Sequence, residues 1–153
     1  MDSLQNTNFR KLNVIDLEKI KMFHVEHFSD YEISEGSFRA YLSEPQYEVF
    51  GAFHFEELVG YLILISSKDT ADVIYIAVHP NYRKKRIATK LLNLKCSTWN
   101  ISKKKDPKYK IFLEVDKENI PAISFYKSQK FKIISIRKKY LKGKDFYLMR
   151  KRL

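Results

Sequence analysis

Apolar positions recur along the chain with a period near two in some stretches and near 3.6 in others, and the switches between the two periods lay out the elements. A short strand is predicted near Phe9 to Leu12, then a helix over about Asp16 to His27 in which Leu17, Ile20 and His24 share a face. A second helix is predicted from Ser34 to Leu42, with Glu35 near its positive end and a stop before Pro45. Tyr47 to Phe55 and Leu58 to Ile65 read as strands joined so tightly across Glu56-Glu57 that an antiparallel hairpin follows. Val73 to Val78 is continuously apolar, which predicts a strand buried on both faces, ending at His79-Pro80. Ile87, Leu91, Leu92, Cys96 and Trp99 then recur at helical spacing with lysines opposite, the pattern of a long amphipathic helix. Lys103-Lys104-Lys105-Asp106-Pro107 reads as a solvated loop, Ile111 to Val115 as a strand and Ile120 to Gln129 as a helix. Two final strands are predicted near Phe131 to Arg137 and Phe146 to Arg150, around a turn at Gly143. The order β-α-α-β-β-β-α-β-α-β-β is an α/β arrangement with a mixed, mostly antiparallel central sheet flanked by helices.

Composition narrows the class. At 153 residues, 44% of them hydrophobic, the chain can build one core, and no repeat or linker divides it. One domain over residues 1–153 is therefore expected, with a polar tail at 1–8. The start has neither the basic nor the apolar segment of a secretion signal, and no apolar run could span a bilayer, so the expectation is a cytoplasmic protein without a membrane partner. The net charge of +11 favours an acidic partner, whether RNA, a phosphorylated cofactor or an anionic surface, with lysine-rich coding bias as the alternative source of the charge. The one cysteine, Cys96, cannot form an internal disulfide and falls on the apolar helix face, where a packed thiol is expected. His24 and His27 lie three apart on a helix without a completing ligand pattern, so no metal is assigned. A loop histidine with a structural hydrogen bond is the reading of His79.

The densest chemistry lies where the Val73 to Val78 strand passes through a polar turn into the amphipathic helix. The first N–H groups of a helix have no intrahelical acceptor and carry the positive end of its dipole, a recipe for holding phosphate. Arg83, Lys84, Lys85 and Arg86 sit at that opening. Cations are unfavourable there unless an anion offsets them, which points to a bound polyanion; a solvated basic turn is the bland alternative.

This segment resembles the cofactor motif of the GCN5-related N-acetyltransferase (GNAT) superfamily: an apolar strand, a Pro, then Arg or Gln, two variable residues, Gly, a variable residue, and Gly or Ala. Pro80, Arg83 and Ala88 match. The resemblance implies the GNAT fold and acetyl-CoA as co-substrate. It assigns the coenzyme pyrophosphate to the backbone of Arg83, Lys84, Lys85, Arg86, Ile87 and Ala88, and the pantetheine arm and thioester carbonyl to Ile76, Ala77 and Val78. The chain departs from the pattern at the middle Gly, which is Arg86, and at Lys84, where another Gly is common. A side chain at either place would crowd the phosphate or impose a strained backbone.

A second constellation runs from Phe112 to Tyr126. Alternation puts Phe112 and Glu114 on one face of a strand and Ile111, Leu113 and Val115 on the other. On these residues alone Glu114 is either a functional carboxylate or a surface residue of a half-exposed strand. Asn119 suits a helix N-cap with Pro121 in the first turn, and Tyr126 lies two turns on, as a core aromatic or a functional phenol. Leu113-Glu114-Val115 followed by Asn119, Ala122, Phe125 and Tyr126 resembles the strand and helix that complete the coenzyme site in the same family. The resemblance is nearest to the bacterial branch that acetylates the N-terminal alanine of a ribosomal protein. It implies that Asn119 touches the cofactor, Glu114 is the general base and Tyr126 the general acid, and that Arg137-Lys138-Lys139-Tyr140 is a substrate-side loop.

The acceptor implied is a protein N-terminus, and the state a monomer or weak dimer. An α-amine titrates near ~8 and needs less help than lysine to become a nucleophile. A small amine, such as a polyamine, an amino sugar or an amino acid, is the alternative acceptor, for which Glu32, Glu35 and Glu114 are the available carboxylates. A non-catalytic basic domain binding RNA or a ribosomal surface is the reading from another class.

Overall fold

The computed structural model describes residues 5–29, 32–99 and 108–153. Its strands are β1 (Thr7–Lys11), β2 (Tyr47–His54), β3 (Glu57–Ser66), β4 (Thr70–Val78), β5 (Lys110–Asp116), β6 (Lys132–Leu141) and β7 (Lys144–Arg152). Its helices are α1 (Leu17–His27), α2 (Glu35–Ser43), α3 (Ile87–Trp99) and α4 (Ile120–Ser128). The order matches the α/β arrangement read from the sequence. β1 begins inside the stretch expected to be a polar tail, and the loop expected at Lys103 to Pro107 lies outside the described residues. Strands hydrogen-bond in the order β1-β2-β3-β4-β5-β7-β6. The β4/β5 pairing is parallel, whereas β1/β2, β2/β3, β5/β7 and β6/β7 are antiparallel.

The chain divides into two compact units. Unit one takes the described residues of Met1–Ile65 and Ile74–Thr98. In it the faces of α1 and α2 close over the sheet: Leu17, Ile20, Phe23 and Phe38 are buried in one cluster with Val49 and Tyr61. Burying a side chain of this size contributes about 1.5–3 kcal/mol, which is what holds short helices in place. Ser34 caps α2, its hydroxyl accepting from the Ser37 N–H at 3.0 Å. Two expectations change here. Of the apolar run Val73 to Val78 only Ala77 is fully buried, because an apolar run shows that a strand lacks a polar face and not how far neighbours cover it. On α3, Lys95 is buried while Cys96 is only half-buried. Lys95 lies one and two turns beyond Leu91 and Ile87, on the apolar face, and its ammonium meets Glu48 of β2 at 2.5 Å.

Unit two takes the described residues of Ser66–Val73 and Trp99–Leu153. β5 alternates as its period predicts, with Ile111, Leu113 and Val115 buried and Phe112 and Glu114 half-buried. Ile123 and Tyr126 of α4, Phe131 and Met149 are buried in the same unit. β6 is exposed throughout and forms the sheet edge. The β6–β7 turn needs left-handed backbone, supplied by Lys142 (φ 52°) and Gly143 (φ 71°).

Candidate active site

In unit one, β3 carries the foundation of the basic turn. A side chain on Gly60 would meet the Ala77 carbonyl at 3.1 Å and Ile87 at 3.2 Å, so glycine allows the end of β4 and the start of α3 to sit close against β3. The His79 N–H donates to the Val59 carbonyl at 2.8 Å. Beyond it, Pro80–Tyr82 makes one 3-10 turn capped by the His79 side chain, whose Nδ1 accepts from the Asn81 N–H at 3.0 Å. His79 thus has the structural hydrogen bond read for it. Its ring also packs on His27 at 4.2 Å and on Tyr82 at 5.3 Å, and Arg83 Nε donates back to the Val78 carbonyl at 3.3 Å.

Lys84 and Arg86 both have φ of 60°. These are the two positions at which glycine is common in the resembled motif, and the chain adopts there the left-handed conformation that glycine permits without strain. The anticipated strained backbone is therefore present, while the Lys84 and Arg86 side chains are exposed. Arg86 opens α3, its carbonyl accepting from Lys90 N–H at 3.0 Å. The N–H groups of the first α3 turn lack intrahelical acceptors by position. Among the described residues, no backbone acceptor meets the N–H groups of Lys84, Lys85 or Arg86. Donors, dipole and four cations at one opening fit a pyrophosphate.

Unit two holds the other constellation. Glu114 projects from the half-buried face of β5, and its Oε1 forms an ion pair with Arg137 Nε of β6 at 2.9 Å. Asp72 shares that face. Its carboxyl is pushed above the usual carboxylate range, first by lost hydration and second by the Glu114 charge. Asp116 ends β5 and builds the approach to α4: its carboxylate accepts from the Glu118 N–H at 2.9 Å and its carbonyl from the Asn119 N–H at 2.9 Å. Asn119 then caps α4, Oδ1 accepting from the Ala122 N–H at 3.2 Å, which leaves its amide N–H groups for another acceptor. Tyr126 is 8% exposed, packs on Phe131 at 5.7 Å, and has its phenol pushed up to about 12 by burial. The phenol is therefore protonated at neutral pH. Glu114 and Tyr126 share no hydrogen bond among the described residues.

Sequence reasoning missed Asp72 and the partnership of Arg137 with Glu114. Asp72 carried a signal, an acid directly before an apolar strand; the Arg137 contact carried none, because it depends on strand register. Among the described residues no group of three His, Cys, Asp or Glu side chains suits a metal ion, and no helix is long and apolar enough to cross a membrane.

Comparison with known proteins bears on the same segments. The chain is 31% identical over 134 residues to an N-alpha-acetyltransferase of Sulfurisphaera tokodaii, covering 83% of this chain and 74% of the relative. It is 38% identical over 78 residues to an N-alpha-acetyltransferase of Saccharolobus solfataricus, covering 50% of this chain and 45%, less than half, of that relative's length. Among solved structures, Arabidopsis thaliana NAA60 in complex with acetyl-CoA superposes with a TM-score of 0.82 at 22% identity, over 96% of this chain and 99% of the other. The ribosomal-protein-S18-alanine N-acetyltransferase of Escherichia coli gives 0.80 at 23%, over 94% and 92%. These likenesses show the fold. The model of the acetyltransferase (GNAT) family matches residues 12–131, a span that takes in the basic turn, Glu114, Asn119 and Tyr126, and the chain belongs to that family.

Proposed function

We propose that the chain transfers the acetyl group of acetyl-CoA to an amine, and that the acceptor is the N-terminal α-amine of a protein, such as a ribosomal protein in the cytoplasm. The observation that carries the reading is the backbone at Lys84 and Arg86: both hold the left-handed conformation of a glycine loop at the mouth of α3, although neither is glycine. A strained conformation kept at two positions marks a functional constraint. The names of the two N-alpha-acetyltransferase relatives support the α-amine over other acceptors.

In this reading the amides and cations from Arg83 to Ala88 hold the pyrophosphate, while Ile76, Ala77 and Val78 offer backbone groups to the pantetheine arm and thioester, and Asn119 adds a cofactor contact. Glu114 takes a proton from the acceptor ammonium, directly or through water, and the free amine attacks the thioester carbonyl carbon. The tetrahedral intermediate collapses with cleavage of the C–S bond, and its nitrogen loses a second proton to water, which balances the proton that Tyr126 gives up. Tyr126, kept protonated by its burial, donates to the leaving thiolate, and the product is an amide plus free coenzyme.

The test is thiol release from acetyl-CoA with peptides beginning Ala, Ser, Gly or Met, beside polyamines and lysine side-chain acceptors. Turnover on the peptides is expected, reduced about 10²–10⁴-fold in Glu114→Gln and in Tyr126→Phe. Transfer only to small amines, or full rates in both variants, would overturn the reading.

A further inference from the structure

The ladders of unit two settle which side chains surround Glu114. Directly paired residues point to one face, so Glu114 shares its face with Leu148, Phe112 with Arg150, and Asp116 with Phe146 of β7. The β6/β7 register places Arg137 beside Phe146, and the β4/β5 register places Asp72 beside Phe112. The charged groups on the face of Glu114 are therefore Lys110 and Asp116 on its own strand, Asp72 on β4, Arg150 and Arg152 on β7, and Lys132 and Arg137 on β6. Asp116 is held by Lys144 at 3.3 Å. Arg137 alone of these is in ion-pair contact with Glu114 among the described residues, reaching diagonally past β7.

That reach is built rather than incidental. A register shift between Arg137 and Leu141 bends β6, and Tyr140 lies under the guanidinium at 5.1 Å while packing edge-on against Phe146 at 5.8 Å. The ion pair is made through Oε1 of Glu114, with Arg137 Nε 2.9 Å from it. Two carboxylates on neighbouring strands repel unless a cation offsets them.

We propose that Arg137 is the positioning residue of Glu114: it fixes Oε1 and offsets the neighbouring Asp72 charge, so that Oε2 is presented to the acceptor amine as the proton-accepting atom. The inference rests on Glu114 being the general base. Arg137 touches neither cofactor nor acceptor in this role, so its loss acts on kcat and leaves the KM for acetyl-CoA unchanged.

The experiment compares Arg137→Gln, Arg137→Lys, Arg137→Gln with Asp72→Asn, and Lys132→Gln as a charge control on the same strand, using the most rapidly acetylated peptide of the panel above. Arg137→Gln is expected to lower kcat about tenfold to hundredfold at unchanged KM for acetyl-CoA, the scale of a misplaced catalytic group. Arg137→Lys and the added Asp72→Asn each recover part of the loss, and Lys132→Gln keeps the normal rate. Independently of turnover, the Nε–H resonance of Arg137 is expected to move in Glu114→Gln. A normal kcat in Arg137→Gln beside an inactive Glu114→Gln would overturn this inference alone. Full activity of Glu114→Gln would remove the base itself, and this inference with it.

Discussion

Replacing Arg86 by glycine separates the two things that residue does. Its φ of 60° costs an L-residue about 1–2 kcal/mol, and glycine removes that cost. Glycine also loses more backbone freedom on folding, by about 0.5–1 kcal/mol. The folded protein is therefore expected to gain about 0.5–1 kcal/mol. Cofactor affinity moves the other way. The loop already has the backbone shape glycine would give, so nothing is gained in fit, and one exposed cation is lost. A unit charge ~5 Å from a phosphate oxygen is worth about 1 kcal/mol at a water-like dielectric, which weakens acetyl-CoA binding roughly fivefold. Urea denaturation measures the first effect. Calorimetric titration with acetyl-CoA at ~0.05 M and ~0.5 M salt measures the second, and the difference between variant and parent should shrink at the higher salt. Tenfold tighter binding by Arg86→Gly would show that the side chain crowds the phosphate, and a less stable variant would show that the turn is not strained.

Two further outcomes follow from buried ion pairs in unit one. Asp16 is nearly buried, accepts from both terminal nitrogens of Arg10 at 2.9 and 2.7 Å, and accepts from the Asn13 N–H at 3.1 Å, so its carboxyl lies below the usual range, held down first by Arg10. A depressed folded-state pKa gives stability that is present above the unfolded value near ~3.9 and is lost as pH falls through the folded one. With Arg10 partly exposed, about 1–2 kcal/mol is expected to disappear on acidification below pH ~4, and Asp16→Asn should lose that part of the pH dependence in denaturation curves taken across the window. Lys95→Met removes a buried ammonium from Glu48 and is expected to cost about 3 kcal/mol, most of it recovered in the double variant with Glu48→Gln; a double variant as unstable as the single would show that packing, not charge, sets the loss.

The sequence alone determined what depends on local periodicity and local chemistry. The period-2 pattern of β5 put Glu114 on the face opposite Leu113 and Val115; Asn119 was recognisable as a cap because its oxygen needs only an N–H three residues on; the α1 face and the β2–β3 hairpin follow from spacing within a dozen residues. Tertiary structure decided the rest. Lys95 looks like a solvated lysine until Glu48, 47 positions away, is brought to it. Arg137 meets Glu114 only through the registers of two antiparallel ladders, one of them shifted, and a slip of one residue would turn its side chain to the other face. The left-handed φ at Lys84 and Arg86 was signalled only by the glycine positions of the resembled motif, since both residue types favour negative φ on their own and adopt the left-handed form only where the surrounding turn between β4 and α3 imposes it.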